Sequence, residues 1–71
     1  MDPDTLSKTF GDRLRGLRTR AGLTQDEVAT ETGIPQAHLS KLENGHRLPE
    51  YRTLQKLKRV FSAKQIVWLI L

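Results

Sequence analysis

Seventy-one residues, 37% hydrophobic and 28% charged, allow one domain with a modest core. The absence of cysteine excludes disulfides and thiolate zinc sites, and the longest apolar run, the six residues Ile66 to Leu71, is far short of the roughly 20 that a membrane-spanning helix needs. The net charge of +4 is uneven: residues 1–45 carry six basic and seven acidic side chains, whereas from His46 onward Arg47, Arg52, Lys56, Lys58, Arg59 and Lys64 face only Glu50, a pattern that suits a polyanion partner and equally a solvated helix surface.

Residues 1–5 read as a disordered arm. Leu6, Phe10, Leu14, Leu17 and Ala21 then recur every three or four positions, the stripe of an amphipathic helix, and Gly22 stands where a left-handed residue would stop it. Thr24-Gln25-Asp26-Glu27 spells a capping box for a second helix, with Val28 and Ala29 inward and Gly33 ending it after about two turns. Pro35 opens a third helix over residues 35–44, buried through Leu39 and Leu42 and closed by Gly45. A fourth begins near Pro49 to Tyr51 and buries Leu54, Leu57, Val60 and Phe61. Ser62-Ala63-Lys64-Gln65 is a second capping box, opening a fifth helix that runs to Leu71. No stretch alternates with period two for long enough to form a strand, so the expected fold is all-α: one compact domain of five short helices over residues 1–71.

Between Gln25 and Asn44, two short helices flank a turn at Gly33. Val28, Ile34, Leu39 and Leu42 seal the joint, and the small Ala29 lets the third helix cross close to the second. The third helix keeps a narrow polar side of Gln36, Ala37, Ser40 and Lys41 free of packing duty, able to enter a major groove. The runs Thr24-Gln25-Asp26-Glu27-Val28-Ala29, Gly33-Ile34-Pro35-Gln36 and Leu39-Ser40-Lys41-Leu42-Glu43-Asn44-Gly45 resemble the lambda repressor/Cro-type (XRE) helix-turn-helix family, over about Phe10 to Leu69. Thr32 departs from the apolar residue usual there, although its methyl can serve.

The resemblance implies sequence-specific binding of double-stranded DNA by a transcriptional regulator, most simply a repressor, with the third helix in the major groove. Gln36 would bond adenine N6 and N7, Ala37 touch a thymine methyl, and Lys41 and Ser40 meet base edges. Thr24, Gln25, His38, Asn44, His46, Arg47 and Arg52 are the expected phosphate contacts, and Arg18 and Glu43 an ion pair fixing the angle of the reading helix. Six consecutive apolar residues cannot all face one small core: Leu69 and either Ile66 or Trp68 should pack inward. Ile66, Val67, Trp68, Ile70 and Leu71 are the candidates for a homodimer contact, setting two reading helices about 34 Å apart on a palindromic operator. The competing explanation is that a longer chain covers this patch. A module acting mainly through protein partners, such as an antitoxin or a coactivator-like adaptor, is the alternative function. Catalysis lacks its parts: no placed carboxylate orients His38 beside Ser40, and two histidines do not make a metal site. No cofactor, small-molecule ligand or membrane contact is expected. Without a charged segment leading into an apolar one at the start, the expected location is the cytoplasm, at the nucleoid.

Overall fold

The computed structural model describes residues 2–71 and holds five helices: α1 (Pro3–Arg20), α2 (Gln25–Thr32), α3 (Gln36–Glu43), α4 (Tyr51–Leu57) and α5 (Ala63–Ile70). The beginning of the chain differs from the expected arm. Residues 3–5 form the first turn of α1, because the Asp2 carboxylate accepts from the Thr5 amide at 2.9 Å and Pro3 occupies a position where its missing N–H costs nothing. Met1 lies outside the described residues.

Both capping boxes form as expected, with Thr24 and Glu27 opening α2 and Ser62 and Gln65 opening α5. Gly33 ends α2 in the left-handed region at φ 78°, and its amide donates to the Ala29 carbonyl. The third helix starts one residue later than expected, Pro35 serving as its N-cap with extended backbone. At its far end the Gly45 amide donates to Leu42 and the His46 amide to Lys41, the paired closure that a left-handed glycine permits.

The core comprises Phe10, Leu14 and Leu17 of α1, Val28, Ile34, Leu39 and Leu42 of the α2–α3 unit, and Leu57, Phe61, Ile66 and Leu69 beyond it. Leu54 and Val60 pack only partly, since α4 stops at Leu57 and Val60 and Phe61 fall in the following turn. Leu6, expected in the buried stripe, is exposed, and Ala21 caps α1 on the surface. Ile66 is likewise corrected: it turns into the core with Leu69, while Val67, Trp68, Ile70 and Leu71 face outward.

Gly11 sets the distance between α1 and α3. A Cβ there would collide with the Leu42 carbonyl oxygen and stand 2.7 Å from that of Glu43, so the two helices meet at backbone contact. Thr32 is fully buried; its hydroxyl donates to the Val28 carbonyl at 2.7 Å and accepts from the Ile34 amide at 3.2 Å. The side chain therefore fills its site with a methyl while closing the turn with its oxygen.

Candidate nucleic-acid interface

The expected pair of Arg18 and Glu43 is present and central. Leu39 and Leu42 rotate Glu43 to the inner side of α3, where its side chain has 0% exposure, and Arg18 reaches it from α1 with Nε at 2.6 Å from one carboxylate oxygen and Nη2 at 2.9 Å from the other. Such a two-pronged pair fixes direction as well as distance. Arg18 Nη1 also donates to the Leu23 carbonyl at 2.9 Å, which ties α1 to the loop before α2. Burial pushes the Glu43 carboxyl up, but the hydrogen bonds from Arg18 and Gln25, with the charge of Arg18, outweigh it and hold the group below its ordinary value.

From this buried charge a chain of amides leads to the surface. Gln25 Nε2 donates to Glu43 Oε1 at 3.0 Å, and Gln36 Nε2 donates to Gln25 Oε1 at 2.6 Å. The polarity of the chain is dictated from its inner end. A carboxylate only accepts, so Gln25 must turn its NH2 inward and its oxygen toward Gln36, and Gln36 must then answer with an N–H. Gln36, exposed in the first turn of α3, is left with Oε1 and a second N–H facing outward. One acceptor beside one donor is the complement of adenine N6 and N7 in the major groove.

Ala37 and Lys41 are exposed on the same helix, and Ser40 is half-buried between them. Asn44 caps the end of α3; its Nδ2 donates to Ser40 Oγ at 3.3 Å, and its Oδ1 accepts from Arg15 Nη2 at 2.7 Å. Arg15, which sequence reasoning passed over, also stands 3.5 Å from Glu43. Its only sequence signal is its position three residues before Arg18 on α1. Thr24 is exposed, with its hydroxyl oxygen occupied by the Glu27 amide. His46, Arg47 and Arg52 are exposed in the loop after α3 and on the first turn of α4, outside this network, with Arg47 at 3.6 Å from the Glu50 carboxylate. The structure thus joins Gln25, Gln36, Ser40, Asn44, Arg18 and Glu43 through hydrogen bonds and leaves the cations of the loop and α4 apart.

His38, expected as a backbone contact, is half-buried on α3. Its Nε2 is buried and has no hydrogen-bond partner among the described residues. Burial and the positive charges of Arg47, Lys56 and Lys41 hold the imidazole below its ordinary value, against the opposing pull of Glu50.

At the opposite end, Arg13 of α1 lies 5.1 Å from the centre of the Trp68 ring and donates to the carbonyls of Trp68 and Leu71 at 2.7 and 3.0 Å. It satisfies the last carbonyls of α5 and holds the helix with its apolar residues outward.

Comparison with known proteins agrees with this architecture. Residues 9–65 match the sequence profile of a family described as helix-turn-helix domain. An uncharacterized HTH-type transcriptional regulator, y4dJ of Sinorhizobium fredii, is 36% identical over 61 residues, covering 86% of this chain and 79% of that protein. The HTH-type transcriptional repressor RghR of Bacillus subtilis is 41% identical over 51 residues, 70% of this chain but only 38% of its own length. An uncharacterized HTH-type transcriptional regulator of Archaeoglobus fulgidus is 36% identical over 52 residues, covering 73% of this chain and 74% of that protein. No solved structure matches.

Proposed function

The chain belongs to the helix-turn-helix domain family, in its lambda repressor/Cro (XRE) branch, and from that premise we propose that it is a non-enzymatic transcriptional regulator that binds a specific double-stranded DNA site with α3 in the major groove. The observation that carries the proposal is the anchored Gln25–Gln36 pair. Its outer amide is exposed at the start of α3, and its orientation is imposed by a carboxylate that water does not reach. A side chain fixed before the encounter loses less freedom on binding, which favours recognition of one base over diffuse attraction to phosphate.

Gln36, Ala37, Ser40 and Lys41 are assigned to base edges. Thr24 and Gln25 at the start of α2, with Asn44, His46, Arg47 and Arg52 past the end of α3, are assigned to the two flanking phosphate tracks. His38, half-buried beside them, is assigned to the same phosphate track. Val67, Trp68, Ile70 and Leu71, joined by exposed Leu6, form the contact of a homodimer on a palindromic site. Repression by occupying the operator, at the nucleoid in the cytoplasm, is the simplest outcome for a unit with one duplex face and one protein face, and the likeness to a protein named as a repressor points the same way.

Selection from a random duplex pool tests the core of the proposal. The expected product is a two-fold symmetric site, bound with an affinity that falls by about 0.9 log unit per log unit of salt for each phosphate contact. Recovery of no preferred sequence, or binding indifferent to salt, would overturn it.

A further inference from the structure

We infer that Arg15, acting through Asn44, sets the hydrogen-bonding polarity of Ser40, so that the hydroxyl reads an acceptor on a base edge and not a donor. The inference rests on the duplex-binding role proposed above and adds a positioning residue to it. Arginine has five N–H groups and no acceptor. Its Nη2 lies 2.7 Å from Asn44 Oδ1, so the Asn44 amide has one permitted orientation: oxygen toward α1, NH2 toward α3. That NH2 then meets Ser40 Oγ at 3.3 Å and occupies a lone pair.

What remains of the hydroxyl is decided by where its proton goes. Among the described residues, the hydroxyls of Thr19, Thr30 and Thr32 donate to backbone carbonyls one turn back on their own helices, whereas Ser40 takes part only in its bond from Asn44. The Ser40 proton is thus without a partner, and the outer part of the side chain borders exposed Gln36, Ala37 and Lys41. In the major groove an O–H is satisfied by guanine O6 or N7, adenine N7 or thymine O4, and meets a competing donor at cytosine N4. The same rule that orders the Glu43–Gln25–Gln36 chain operates here with the sign reversed. A buried acceptor governs Gln36, and a donor-only cation governs Ser40.

Arg15 is suited to this duty because its guanidinium is held at both sides, by Asn44 and by the Glu43 carboxylate at 3.5 Å, while its side chain keeps 47% exposure. Removing it leaves the Arg18–Glu43 pair in place, so the fold has no reason to fail.

The test is selection of bound sequences from a random duplex pool by the wild-type chain and four variants, with thermal midpoints measured alongside. Ser40→Ala identifies the base position that Ser40 reads. Arg15→Met is expected to flatten the preference at that same position by roughly three- to tenfold, the worth of one neutral hydrogen bond, while leaving the position read by Gln36 unchanged. Arg15→Lys, which keeps a donor, is expected to restore it in part. Asn44→Asp is the sharpest variant. A carboxylate accepts from both Arg15 and Ser40, draws the hydroxyl proton inward, and turns lone pairs outward, so the preference is expected to move toward cytosine. The inference is overturned if Ser40→Ala changes no position, if Arg15→Met weakens all sequences equally as a lost phosphate contact would, or if Asn44→Asp keeps the acceptor preference. Failure of the wild-type chain to select any sequence would instead remove the duplex-binding role, and this inference with it.

Discussion

The reading side of α3 and the outer side of α5 expose comparable lengths of helix and are organised in opposite ways. Around α3, the outward groups of Gln36 and Ser40 are each held by a second polar group, Lys41 standing apart, and both chains converge on one buried carboxylate: Glu43 to Gln25 to Gln36, and Glu43 to Arg15 to Asn44 to Ser40. At α5 and its C-cap, by contrast, Val67, Ile70 and Leu71 have no side-chain hydrogen bond among the described residues, and Arg13 pins the helix through its last carbonyls and the Trp68 ring. The difference follows from what each surface is proposed to meet. A base edge presents donors and acceptors at fixed places and rewards groups fixed in advance, whereas apolar burial is non-directional and rewards area alone.

If the reading side depends on one carboxylate, removing it should cost more than any other single change. Glu43→Ala leaves Arg18 without its partner at a site where the side chain is only 15% exposed. Breaking a buried pair in this way costs about 3–5 kcal/mol, and the partial access of water to Arg18 places the expected value near the lower end. Urea unfolding at neutral pH measures it. The pair also predicts a pH dependence. A carboxyl held below its ordinary 4.5 in the folded state contributes stability that is complete above that value and is lost as the pH falls through the lowered one, so the wild-type chain should lose stability in that window and Glu43→Gln should not. A variant as stable as the wild type would show the network to be ornament on an apolar joint.

The joint itself offers the next test. Gly11 lies in the middle of α1, where alanine would be favoured by about 1 kcal/mol on helix propensity alone. Its Cβ, however, would press on the backbone oxygens of Leu42 and Glu43. Overpacking against backbone costs about 1–3 kcal/mol, so Gly11→Ala should destabilise on balance and push α3 away from α1. Thermal unfolding decides by sign: a raised midpoint would mean that α1 and α3 are free to separate.

Much of this was legible in the residues. The two capping boxes, the left-handed Gly33 and the sealing set Val28, Ile34, Leu39 and Leu42 are local or periodic signals, and the structure holds all of them. The Arg18–Glu43 pair was available through the family pattern. What escaped was non-local. The periodicity of α1 assigns Leu6 to the core, but Leu6 is exposed, lining a surface hollow with Leu69, Ile70 and Leu71. A mid-helix glycine is the one sequence sign of close approach at Gly11, and its meaning depends on which helix crosses there. Thr32 reads as an imperfect apolar residue until the turn amide of Ile34 is seen to need its hydroxyl. The amide chains were invisible for the same reason: Arg15 and Asn44 are 29 positions apart.

The smallest expected effect on folding belongs to the other side of the comparison. Trp68 keeps 39% exposure, and no directional bond in the core depends on its side chain. Trp68→Glu gives up that partial packing, with the lost stacking on Arg13 partly replaced by charge attraction, and should lower the unfolding free energy by about 1 kcal/mol. Its effect on assembly should be large. In the proposed dimer the new carboxylate would enter an apolar contact with its two-fold copy close by, so desolvation and like-charge repulsion both oppose association. Sedimentation equilibrium, run well below both thermal midpoints, is expected to give a dimer for the wild-type chain and a monomer for the variant. A wild-type chain that stays monomeric at high concentration would separate the two regions for good, leaving α3 as a reader that works singly and the α5 patch without a second copy to cover it.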